Sequence, residues 1–205
     1  MRAKASDGNN GGVAKPGGAE IRARIMEATL EVVGEDGYRN LSVQKVLDRQ
    51  GGSRDQFYKL FPNAAACYRE AYAAEAERLC EAILRAGRGG DNWGAGLEAA
   101  LEELSRFALE RPTIARGVLI EVHVAGGPTL WKRKEVFERL SRAIDSARRE
   151  TVSRHSPPPM TAMFIVHMVD AALAEALMRE APQNFAPTAL AKLLAIYYDL
   201  ASPKA

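Results

Sequence analysis

Arg54, Gln56, Tyr58 and Lys59 fall within six positions of one another, and each has a hydrogen-bonding side chain. An arginine fork matches the O6 and N7 edge of guanine, and a glutamine amide matches the N6 and N7 edge of adenine. Tyrosine and lysine a turn further on suit phosphate oxygens, which fix register rather than read sequence. Ser53 and Asp55 complete the run. The same residue types would also make an ordinary solvated face, so chemistry alone does not decide between the two.

The flanking residues say what must hold these side chains. Ser42 is placed to cap a helix over 43–49, and Ser53 to cap a second, shorter one ending near Leu60. Gly51-Gly52 supplies a sharp turn between them, and Pro62 blocks continuation. Lys45 stands where a capping-box glutamate would be, so only half of that motif is present. A helix of seven or eight residues is not stable alone. Val46, Phe57 and Leu60 are spaced to pack the pair against an apolar helix over 19–36, which carries Ile21, Ile25, Ala28, Val32 and Val33. Such a helix-turn-helix would enter a major groove by the N-terminal end of its second helix. From Arg39 to Pro62 there are five basic residues against two acidic, a surplus of three, while the whole chain carries only +2. A nucleic-acid partner is therefore announced by local charge and not by a global field.

The rest of the chain reads as helix. At 47% hydrophobic and 26% charged, its 205 residues are rich enough in apolar material to build a core. No segment alternates like a strand. Further helices are expected over 64–86, 93–110, 112–125, 129–154, 160–179 and 187–201, with Gly87–Gly90, Pro112, Gly126-Gly127-Pro128 and Ser156–Pro159 as the breaks. Residues 1–18 lack apolar periodicity and are expected to be a flexible arm. Neither a signal peptide nor a transmembrane segment is expected: the most apolar run, 162–169, is short and is followed by Asp170 and Glu175. Cys67 and Cys80 lie on one helix, on roughly opposite faces, and cannot pair with each other. Together these features predict a cytoplasmic protein. No phosphate loop, nucleophile elbow or metal-ligand spacing is present, so neither an enzyme nor a metal or cofactor is expected.

Residues 21–72 resemble the DNA-binding domain of the TetR family of transcriptional regulators. The resemblance is carried by the apolar series of the first helix, by Gly37-Tyr38 and Leu41-Ser42-Val43, and by Gly51, Ser53 and Phe57-Tyr58-Lys59-Leu60-Phe61-Pro62-Asn63 running into a long helix. It implies an all-α chain of about nine helices: a helix-turn-helix domain over 19–63, then a helical effector-binding and dimerisation domain over 64–205. It further implies that Ser42, and more weakly Lys45, contact phosphate, that Ser53, Arg54, Asp55 and Gln56 read sequence, and that Tyr58 and Lys59 clamp the backbone. The expected partners are a double-stranded DNA operator and a second copy of the chain, joined through the helices near 160–179 and 187–201. The sequence departs from the family at Gln50, Leu47 and Gly52. The family usually has an apolar residue such as valine at the last, and a missing buried side chain would cost about 1 to 3 kcal/mol of packing.

The helix over 160–179 is apolar nearly all round, which requires burial on several sides. The intervening helices could enclose an effector. Tyr72, Trp93, Phe107, Val122, His123, Trp131, Phe137, Met163 and His167 are candidates to line its pocket. His123 and His167 interrupt apolar faces. The family implies a repressor released by a small apolar effector. A helical interaction or lipid-binding module without DNA binding is the alternative.

Overall fold

The computed structural model describes residues 17–151 and 160–201. The expected arm over 1–18 therefore lies almost wholly outside the described residues, as do His155 and the proline break at 156–159. Among the described residues every regular element is helical: α1 Gly18–Asp36, α2 Val43–Gln50, α3 Arg54–Leu60, α4 Ala64–Arg88, α5 Trp93–Glu110, α6 Pro112–Leu119, α7 Val122–Ala125, α8 Gly127–Thr151, α9 Thr161–Met178 and α10 Pro187–Ala201. Single 3-10 turns sit at Tyr38–Asn40 and Pro182–Asn184. The predicted segment over 112–125 is split in two. The amides of Ile120 and Glu121 both donate to the Arg116 carbonyl, which ends α6 before the four-residue α7 begins.

Local chemistry sets the boundaries. Ser42, Ser53, Asn63 and Asn92 each accept a hydrogen bond from the backbone N–H three residues on, capping α2, α3, α4 and α5. Pro112 opens α6, where its missing N–H costs nothing.

α1, α2 and α3 close around Ile25, Ala28, Val32, Val46, Phe57 and Phe61, and α4 contributes Cys67 to this small core. A second cluster joins α1, α4, α6, α8 and α9 through Val33, Tyr68, Ile114, Val118 and Phe137. A third joins α4, α5, α9 and α10 through Leu79, Leu101, Ile165, Leu173 and Leu194. α1 to α3, called the head below, thus join α4 to α10, the body, chiefly where α1 packs on α4 and α6.

That mounting is tight. α1 and α6 cross at Gly34 and Gly117, where an added Cβ would lie 1.8 Å from the Thr113 carbonyl oxygen and 2.7 Å from that of Leu30, respectively. The Tyr68 hydroxyl donates to the Gly117 carbonyl at 2.8 Å. Arg116 donates to the Gly34 carbonyl at 3.3 Å and to the Leu177 carbonyl at 2.9 Å, so one side chain ties the ends of α1 and α9. Arg111 bridges Glu27 of α1 and Glu75 of α4.

α9 is long and apolar enough to cross a membrane by length and composition, but here it is a core helix, with Ile165, Leu173 and Leu177 inaccessible. Its burial is one-sided. Phe164 and Met168 are exposed, as are Leu193, Ile196 and Tyr197 of α10, with Leu193 64% exposed. Their counterparts Val166, Val169 and Leu194 are buried.

Candidate nucleic-acid interface and effector cavity

α3 has two faces of opposite character. Phe57 is 0% exposed and seated in the head core, and Leu60 is half-buried beside it. On the other side Ser53, Arg54, Asp55 and Lys59 are exposed, Tyr58 is 54% exposed and Gln56 is half-buried. The Tyr58 ring is steadied edge-on by Phe57, with centroids 5.7 Å apart. Arg54 donates one N–H to the Gln44 amide oxygen at 2.8 Å, and Gln44 in turn donates to Asp48. A guanidinium has five N–H donors, so the fork remains available to a base edge. Ser42 and Ser53 use their oxygens as cap acceptors, from Lys45 N–H at 3.3 Å and Gln56 N–H at 3.2 Å. Each hydroxyl hydrogen is left to donate outward.

The charge surplus read from the sequence is largely spent within the head. Lys45 pairs with Asp36 at 2.7 Å, Arg49 with Glu35 and with Glu31 at 3.4 Å, and Lys59 with Asp55 at 2.7 Å. The Asp55 carboxylate raises the Lys59 ammonium pKa, and Glu35 does the same for Arg49. The first-helix acids that do this lie outside the 39–62 window and are brought there only by the fold. Exposed pairs of this kind are weak, so these cations are only loosely held by their partners.

The turn corrects one expectation. Gly52 has φ +109° and Gly51 φ +78°, a region that valine cannot adopt without strain. Gly52 is exposed, and a Cβ there would stand 3.0 Å from both the Gln50 and the Gln56 amide groups. No buried gap is left by the absent valine. Glycine is what this turn requires.

The body holds a cavity of about 680 Å³ walled by α4, α5, α6, α8 and α9, within the usual range for small-molecule sites. Of the predicted lining residues, Tyr72, Trp93 and Phe137 stand in its wall. Phe107 and Met163 are half-buried against the second core cluster and Val122 is fully buried within it; none of the three stands in the cavity wall. His123, Trp131 and His167 face outward, Trp131 at 70% exposed. The break after α6 turns His123 out. His167 shares the exposed stripe of α9 with Phe164 and Met168, and packs edge-on to Phe137 from outside at 5.1 Å.

Two cavity residues went unmarked in the sequence. Arg133 of α8 and Asp170 of α9 form an ion pair in the wall, each side chain only 13% exposed. Burial raises the Asp170 carboxyl pKa, against the opposing pull of Arg133 and, to a lesser extent, of His123 and His167. Asp170, an acid directly after the most apolar run of α9, was the available signal.

No family model matches the chain, and no curated protein is similar to it in sequence. Solved structures are similar in fold. The fatty acid degradation regulator FadR from Bacillus halodurans superposes with a TM-score of 0.73 at 16% identity, covering 91% of this chain and 96% of that one. A TetR family transcription regulator from Marinobacter aquaeolei VT8 gives 0.67 at 18%, covering 89% and 96%. The fold is that of TetR-family regulators. The transcriptional regulator FadR from Bacillus subtilis, in complex with stearoyl-CoA, is also similar in fold, at a TM-score of 0.69 and 15% identity, covering 83% and 94%.

Proposed function

We propose that the protein is a sequence-specific DNA-binding transcriptional regulator. It acts as a homodimer, with the head over 19–63 on DNA and the body over 64–205 holding an effector and the partner. The main support is the two-sidedness of α3, anchored by Phe57 and presenting Ser53, Arg54, Gln56, Tyr58 and Lys59 outward. The exposed apolar face of Phe164, Met168, Leu193, Ile196 and Tyr197 is suited to a second copy, which would set two heads on half-sites about one DNA turn apart. Ser42 and Lys45 at the start of α2 serve the backbone. A cavity with a mainly apolar wall suits an apolar effector that releases DNA by favouring a different setting of α4, so that the protein represses until the effector arrives. That FadR of Bacillus subtilis was solved with stearoyl-CoA supports a ligand with a long apolar part.

The test is selection of bound duplex from a random pool. The expected product is a two-fold symmetric site with half-sites about one turn apart. Arg54→Ala is expected to relax one base position in each half, by about 1 to 3 kcal/mol. Lys59→Ala should weaken all sequences alike and flatten the salt slope by about one unit. Recovery of a pool without enrichment, by a protein that still binds apolar ligands, would leave the helical ligand-binding module as the function.

A further inference from the structure

Resting on that assignment of the cavity, we propose that its inner end, formed by Tyr72, Arg133 and Asp170, receives an uncharged hydrogen-bonding group at the deep end of a chain-like ligand. A long-chain alcohol is the simplest member of the class; amides and esters share its chemistry.

The cavity is elongated. On α4 its wall begins at Tyr72 and continues to Arg88, sixteen residues or about 24 Å of helix rise. Between these limits the wall is mainly apolar, with Leu79, Ile83, Leu97, Leu101, Ile144 and Val169. The two ends differ in exposure. Arg88, Asp91 and Asn92 at the turn between α4 and α5 are exposed, whereas Tyr72 is 2% exposed. A ligand therefore enters near that turn and runs inward along α4.

At the inner end it meets polar groups whose charges already cancel. Arg133 and Asp170 are paired with each other, and the guanidinium also lies over the Phe137 ring at 4.1 Å. An entering carboxylate meets Asp170 with no surplus cation to receive it. An entering ammonium meets Arg133 with no surplus anion. Desolvating either charge here is costly without a free counter-charge. An uncharged hydroxyl or carbonyl carries no such penalty. The Tyr72 hydroxyl makes no protein hydrogen bond among the described residues and stands in the same wall. Arg133 keeps spare N–H donors and Asp170 spare lone pairs. A group that donates and accepts satisfies all three.

The experiment is calorimetric titration of the whole chain with 1-dodecanol, dodecanoate and dodecylammonium at pH 8. Dodecanol is expected to bind about tenfold or more tightly than either charged probe. Tyr72→Phe should weaken dodecanol about fivefold, the worth of one hydrogen bond, with the thermal midpoint unchanged. Asp170→Asn should leave Arg133 as a surplus cation and turn the preference to dodecanoate, a reversal that a merely structural ion pair does not give. Tyr72→Phe carries the test alone if Asp170→Asn does not fold. Equal or tighter binding of dodecanoate by the unaltered protein, unchanged dodecanol affinity in Tyr72→Phe, or no binding of any probe would each overturn the proposal. Selection of duplex from the random pool needs no ligand, so loss of this proposal and loss of the DNA-binding function are separately visible.

Discussion

Replacing Gly34 with alanine sets two effects against each other. Gly34 lies inside α1, where alanine favours the helix by about 1 kcal/mol. The added Cβ would stand 1.8 Å from the Thr113 carbonyl oxygen, where ordinary contact begins near 3.4 Å. α6 must therefore retreat by about 1.6 Å, the difference between those distances. It cannot retreat freely: the Tyr68 hydroxyl holds the Gly117 carbonyl, and Arg116 holds the Gly34 and Leu177 carbonyls. The obstructing atom is backbone, so no rotamer change relieves it. Overpacking of this kind costs about 1 to 3 kcal/mol or more, and the lost arginine bond to Gly34 adds about 1 kcal/mol. After the helix gain, the net expectation is a loss of about 2 kcal/mol, read as a lower urea midpoint at unchanged slope. Gly94→Ala in α5 is the control, since its Cβ would meet only the Asn92 side chain, at 3.4 Å; it should be neutral or stabilising by up to about 1 kcal/mol. An unchanged or higher midpoint for Gly34→Ala, alongside the expected control, would refute the idea that α1 and α6 are held at backbone contact.

Three further outcomes are expected. Asp55→Asn releases Lys59 and removes a negative charge from the outward face of α3, so it should strengthen binding to non-specific duplex about fivefold at low salt, the gain shrinking as salt rises; anisotropy titrations over a salt series would show this. Tyr68→Phe leaves the buried Gly117 carbonyl without its donor and should cost about 1 to 2 kcal/mol by urea unfolding. Burial pushes the Cys67 thiol from 9.0 up to about 11. The unfolded thiol ionises first, so stability is fully present below pH 9 and falls as pH rises toward 11. Cys67→Ala should make that fall less steep without abolishing it, because burial raises the Tyr68 and Tyr72 hydroxyl pKa values in the same sense. Unfolding curves taken from pH 8 to pH 11 would measure the difference.

The parts of the structure legible in the sequence are those set by short-range chemistry. Ser42, Ser53, Asn63 and Asn92 mark helix starts because a cap needs only the next three residues. Phe57 falls on the face of α3 opposite Asp55 and Lys59 because helical spacing, about 200° over two residues, puts them there. Long-range consequences were not legible. The basic surplus around α2 and α3 is countered by Glu31, Glu35 and Asp36, which are close in space but outside the counted stretch. The polar end of the cavity needs Arg133 and Asp170, thirty-seven residues apart, to meet across two helices. His123 and His167 each interrupt an apolar pattern, yet a two-residue break turns one outward and the exposed stripe of α9 carries the other. At Gly52 the residue type was informative only once the backbone was known, since an exposed positive φ and a missing core side chain look the same in one dimension.

α4 is one unbroken rod from the head core at Cys67 to the rim of the cavity at Arg88. Over its length of about 36 Å, a tilt of roughly 5° moves one end by about 3 Å, a large fraction of the spacing between neighbouring base pairs. The beam that frames the chamber also runs into the core on which α3 is seated. Substitutions that remodel the chamber for a new guest thus also load the aim of α3, and the two properties are expected to drift together as such chains diverge.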